Sequence, residues 1–193
     1  MGSFLETIYD VLFKPKQAMQ YIAEKKLTGQ ALTMFTIGML VPVWAVFAGV
    51  KGAIGTSAFG LLFAIHFAGS LVLWVVGAAV LNFIAELAGG QGTALGLFAA
   101  LGFSHLPRVA VMPLWVIASL LPVGVQGMAF GLIGLIVVVW TFSLNVAAIC
   151  GAHHLSSAKA VLVLLAPVLA LIGIAVAVAV YVGSALMHLP FQI

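Results

Sequence analysis

The sequence has 193 residues, of which 65% are apolar and only 6% charged, with a formal net charge of +3 and a mean hydropathy of +1.32. A soluble domain carries about a quarter charged residues, so a soluble globular fold is excluded and lipid must solvate most of the chain. At about 20 residues per crossing, five or six spans consume the length, which leaves no room for a soluble catalytic domain.

Seven of the charged residues fall in the first 26 positions: Glu6, Asp10, Lys14, Lys16, Glu24, Lys25 and Lys26. The basic excess is therefore a lysine-rich start and not the one-sided stripe that binds nucleic acid. Residues 1–30 read as an amphipathic, interfacial tail of two short helices. Ser3 and Glu6 have capping-box spacing, each able to satisfy a free backbone N–H at the helix start. Behind them Phe4, Leu5, Ile8 and Leu12 share a face. Pro15 ends this helix and opens the next, in which Ala18, Met19 and Ile22 lie on one side and Lys16, Gln17, Gln20 and Glu24 surround them. Helices this short are marginal alone in water, so their apolar faces are expected to lie on the bilayer interface, with the lysines near anionic lipid. The start lacks the basic-then-apolar order of a cleavable signal peptide.

From position 31 to 193 the chain reads as a bundle of five transmembrane helices. The first span covers about 31–50, flanked by Lys26 and Lys51, with Pro42 as a kink. The second covers 58–87, about 45 Å at helical rise, which is longer than a bilayer core of about 30 Å. Gly89-Gly90-Gln91-Gly92 breaks the chain. The third, 94–121, is interrupted from Ser104 to Arg108 and is either one broken span or a re-entrant segment. The fourth covers 126–150, Gly151 to Ser157 form a polar turn, and the fifth covers 158–187 with Pro167 inside. Small residues spaced three or four apart (Gly127, Gly131 and Gly134; Gly173 and Ala177; Ala179 and Gly183) are expected to bring helices close, within the bundle or in a homo-oligomer. A single cysteine, Cys150, excludes an intrachain disulfide and a cysteine-based metal cluster. Counting lysines and arginines near span ends places Lys14, Lys16, Lys25, Lys26 and Lys159 in the cytoplasm and Lys51 outside, hence N-terminus cytoplasmic and C-terminus external.

Ionisable groups at membrane depth suggest function by default. Helical rise puts His66, His105 and Arg108 at comparable central depths, so a cluster of His66, Ser104, His105 and Arg108 is expected where Pro107 frees backbone carbonyls. It can be a transport, proton-relay or lipid-handling site beside a broken helix. It can equally be a packed kink in which Arg108 and the histidines bond the carbonyls. Two histidines without a carboxylate or cysteine are too few for a metal. A second group gathers on the cytoplasmic side: Asn82, Glu86, Asn145 and Lys159, with His153 and His154 in the turn. Glu86 and Lys159 could pair, and Glu86 with either histidine is a weak metal candidate. No nucleophile elbow, H-E-x-x-H or phosphate loop occurs, so no catalysis and no cofactor are expected.

Four segments in order resemble the Yip family, membrane proteins named for interacting with Ypt/Rab GTPases, and its short bacterial members in particular. These are Phe13-Lys14-Pro15; Gly102-Phe103-Ser104-His105-Leu106-Pro107; Trp140-Thr141-Phe142-Ser143-Leu144; and His154-Leu155-Ser156-Ser157-Ala158-Lys159-Ala160. The resemblance covers nearly the whole chain and implies a five-span protein of the bacterial inner membrane. The long acidic N-terminal domain that eukaryotic members use for Rab contact has no counterpart here, so Rab-type GTPase binding is not expected. The leading expectation is a non-enzymatic protein that organises membrane or protein partners. The rival is a small transporter, channel or lipid-handling protein built on the central polar cluster.

Overall fold

The computed structural model describes residues 3–49 and 56–187. Lys51 and residues 188–193 lie outside the described residues, and with them the outer flank of the first span and the C-terminus. The described chain is all helix: α1 (Phe4–Phe13), α2 (Pro15–Lys25), α3 (Thr28–Gly49), α4 (Thr56–Leu87), α5 (Ala94–Phe103), α6 (Leu106–Ser119), α7 (Val123–His153) and α8 (Ser157–Met187). Four stretches are long and apolar enough to cross a membrane: Phe59–Leu87, Ala94–Ser119, Val123–His153 and Ser157–Ser184. Thr28–Val43 is a shorter apolar helix beside them. The chain is thus a polytopic helical membrane bundle.

The third stretch is two helices in series. Thr93 caps α5 by accepting from the Gly96 N–H at 3.1 Å. Ser104 and His105 form the turn, and Pro107 sits in the first turn of α6, where a helix has no use for its missing N–H. Both α3 and α7 pack on α5 and on α6. The two pieces therefore share the same two neighbours.

One end of the bundle carries most of the packing. The Gln91 N–H donates to the His153 carbonyl at 3.2 Å, which fixes the start of α5 beside the end of α7. Gly89, at φ +89°, ends α4 in the left-handed conformation that glycine adopts without strain. At this same end α2 lies on α5 and α7. Its face of Ala18, Met19, Ile22 and Ala23 is buried, so the surface it rests on is protein and not the bilayer interface. Two glycines make the dock: a Cβ on Gly96 would stand 2.9 Å from the Ala23 carbonyl oxygen, and one on Gly151 would stand 2.6 Å from the Gln20 nitrogen. A close-packed contact of this kind gains dispersion that a loose lipid surface cannot match.

The capping box of Ser3 and Glu6 is formed, but the buried face of α1 is turned by about one residue from the expected one. Thr7 and Val11 are buried and Phe4 and Ile8 half-buried, while Leu5, Tyr9, Leu12 and Phe13 remain exposed. The apolar side of this helix is wide, opposite Glu6 and Asp10. The bundle uses one stripe, with the Phe4 ring 6.3 Å from Phe103, and leaves the other free.

The glycines with small-residue spacing behave differently from expectation. A Cβ on Gly127, Gly131, Gly134, Gly173 or Gly183 would meet nothing within 4 Å. The outer halves of α4, α7 and α8 are exposed along their length. Close helix contact is made instead at Gly38, where a Cβ would lie 3.1 Å from His105, and at Gly102, where it would lie 2.7 Å from the Ala31 Cβ and 2.8 Å from Trp74. These are single glycines facing particular backbones, which no spacing rule picks out.

Candidate functional site

Between the break in the third span and helices α3, α4, α7 and α8 lies a cavity of about 280 Å³. Trp74 and His105 in its wall belong to an aromatic cluster behind it. Phe35 stacks on Trp74 at 4.5 Å and Trp74 on Phe98 at 4.0 Å, while His105 meets Phe35 edge-on at 5.0 Å. Aromatic pairs in such arrangements add about 0.5–1.5 kcal/mol each beyond the area they bury. The cluster pins α3, α4 and α5 together and sets the orientation of the His105 ring.

The Leu101 carbonyl at the end of α5 takes up the hydrogen bonds of the break. It accepts from the Ser104 N–H at 3.1 Å, from the Ser104 hydroxyl at 2.7 Å and from the His105 ring at 3.3 Å. A carbonyl only accepts, so His105 carries its hydrogen on Nδ1. The carbonyl-binding role expected of the histidines and Arg108 at the kink is thus taken by His105, joined by Ser104. Arg108 does not share it. Its Nη1 points to the Met39 sulfur at 3.7 Å, and the half-buried guanidinium lines the cavity.

Of the expected central cluster, Ser104, His105, Pro107 and Arg108 come together, with Pro107 fully buried. His66 does not join them. It is exposed on α4, one turn beyond Ser70, in the outer half where little packs against that helix. Asn145, expected with the cytoplasmic group, lines the cavity beside Arg108 and Thr141. Helical side chains lean toward the start of their own helix, so a long arginine on α6 reaches down to the depth of Asn145 on the antiparallel α7. Ser70, Trp74 and Thr141 complete the polar lining. Thr141 and Asn145 are four residues apart, one helical face, and that spacing was the available sequence signal. Trp74 carried none, because a tryptophan in an apolar span reads as packing.

The group expected on the cytoplasmic side resolves into separate contacts. The Glu86 carboxylate accepts from the Asn82 amide at 2.8 Å. Lys159 donates to the Ala88 carbonyl at 3.0 Å, satisfying an acceptor at the negative end of α4. The expected Glu86–Lys159 pair is not formed. His153 is buried, and its Nδ1 accepts from the Gly92 N–H at 3.1 Å, so it serves the turn. His154 is exposed with φ +55° and ends α7. Among the described residues no three His, Cys, Asp or Glu side chains converge on a point where a metal could sit.

A model of the Yip1 domain matches residues 9–180 of this chain. No curated protein and no solved structure matches it.

Proposed function

Because the chain belongs to the Yip1 domain family, we propose that it works as a non-enzymatic organiser of lipid and partner proteins, through a platform that α1 and α2 build across the cytoplasmic end of the bundle. One observation carries this reading. α2 is fixed to protein by its buried face, whereas α1 leaves Leu5, Tyr9, Leu12 and Phe13 exposed beside Lys14 and Lys16. An apolar row flanked by lysines is the chemistry that inserts into an anionic leaflet, at about 1 kcal/mol per basic residue near the surface.

The same placement supports an N-terminus in the cytoplasm of a bacterial inner membrane. α2, with Lys16, Lys25 and Lys26, packs at the end where Lys159 meets Ala88, so the bulk of the positive charge gathers on one side. A non-enzymatic role is supported by the carboxylates. Only Glu86 lies beyond the tail, and it is exposed and bonded to Asn82, away from the cavity.

Tryptic cleavage after Lys16 tests the platform, with the protein in nanodiscs of mixed anionic and zwitterionic lipid or of zwitterionic lipid alone. Anionic lipid should protect the site in the wild type, and a Leu5→Ser, Phe13→Ser variant should lose that protection. Equal cleavage in both lipids would refute the proposal.

A further inference from the structure

Among the described residues Arg108 is a cation without an anion. The sequence has four acidic side chains: Glu6, Asp10 and Glu24 belong to the tail, and Glu86 is held by Asn82 at the cytoplasmic edge. None lines the cavity. By helical rise the guanidinium's residue sits about 21 Å along the third span from Ala94 and about 16 Å from its end at Ser119, near the middle of the bilayer. An arginine stays charged there, and an unsupported charge at that depth is costly.

The rest of the polar lining consists largely of unused hydrogen-bond donors. The indole N–H of Trp74 is buried with no partner. Ser70, Thr141 and Asn145 line the same space, and their side chains make no hydrogen bond among the described residues. The Trp74 nitrogen is closed off from the cavity, but a guanidinium, hydroxyls and an amide together suit an oxygen-rich anion.

The cavity also continues into a second one of about 410 Å³, which shares Arg108, Thr141 and Asn145 and is otherwise apolar, with Val137 and Phe142 of α7 facing Leu165 and Val168 of α8. A small free anion has no use for an apolar groove and would have to cross hydrocarbon to arrive. A phospholipid arrives laterally and brings both parts. We propose that the cavity at Arg108 is a phospholipid site, in which the guanidinium holds the phosphate and the groove between α7 and α8 holds an acyl chain. A phosphate bound here is drawn out of its leaflet's headgroup layer. This site is independent of the α1–α2 platform, and either can fail without the other.

Native mass spectrometry of the full chain released from nanodiscs tests it, with short-chain phosphatidylglycerol and inorganic phosphate as probes. The wild type should carry one phospholipid. Arg108→Ala should lower the affinity for it, read by titrating the lipid, about tenfold or more, the factor for losing a charge-assisted donor. Leu165→Trp, which leaves the arginine and fills the groove, should also lower it, while Arg108→Lys should fall between. Inorganic phosphate at equal concentration should not displace the lipid. If Arg108→Ala does not fold, the Leu165→Trp and Arg108→Lys variants decide. Absence of bound lipid, occupancy indifferent to these variants, or displacement by inorganic phosphate would overturn the proposal, the last in favour of a small-anion site.

Discussion

Gly151→Ala should release the tail from the bundle. The added methyl would sit 2.6 Å from the Gln20 nitrogen, 2.9 Å from the Met19 carbonyl carbon and 3.0 Å from the Met19 Cβ. Two of these atoms are main chain and the third is fixed to it, so no change of rotamer relieves the overlap and α2 must lift. Met19 and Ile22 are completely buried beneath it. Burying side chains of that size is worth about 1.5–3 kcal/mol each, or about 3–6 kcal/mol for the pair, less whatever the bilayer interface returns to the freed face. A loss of 3 kcal/mol raises the population of the lifted tail, and so hydrogen exchange through it, about 150-fold. Hydrogen exchange by mass spectrometry over residues 15–25 reads this directly. Gly131→Ala is the matched control, since a methyl there meets nothing and an exposed helical glycine gains about 0.5–1 kcal/mol from the change. Wild-type exchange in the Gly151 variant, or equal effects of both changes, would refute the docking argument.

Trp74→Ala removes the centre of the aromatic cluster and should cost about 3–5 kcal/mol, visible as a lowered thermal midpoint in detergent; an unchanged midpoint would mean that α3, α4 and α5 are held otherwise. His153→Ala strips the acceptor from the Gly92 N–H and should cost about 1–3 kcal/mol, with faster exchange in residues 88–94 as its local signature. Reporter fusions after Ile193 should read external, and a cytoplasmic reading would remove the five-span topology.

What could be read from the sequence follows the strength of the local signal. Ser3 and Glu6 announce a helix start whatever surrounds them, and Pro107 after Ser104-His105 announces a break. The glycine run at 89–92 separates two spans for equally local reasons. Which face of a helix meets protein is a different question. α4 is apolar all round, so no period distinguishes the side carrying Trp74 from the side carrying His66, and equal depth did not mean equal direction. The resting surface of α2 differs from the expected one for a related reason. The apolar faces of the tail require a surface, but only the fold reveals that Gly96 and Gly151 open one on the bundle itself. Arg108 was expected at the kink carbonyls because Pro107 lies next to it in sequence. Ser104 and His105 are closer to those carbonyls in space and satisfy them first.

The one-sided packing has a mechanical consequence. Helices clamped at one end and free at the other are cantilevers, and their free lengths take their angle from the surrounding membrane. The apolar stretch Ser157–Ser184 has 28 residues, about 42 Å at helical rise, against a hydrocarbon core of about 30 Å. It must lean, and it leans more in a thinner bilayer than in a thicker one. Because the described residues leave its outer half exposed, the lean disturbs little interhelical contact there and its energetic cost is small. The angle between α7 and α8 beside Arg108 is thereby coupled to bilayer thickness, which makes the width of that opening a property of the membrane as much as of the protein.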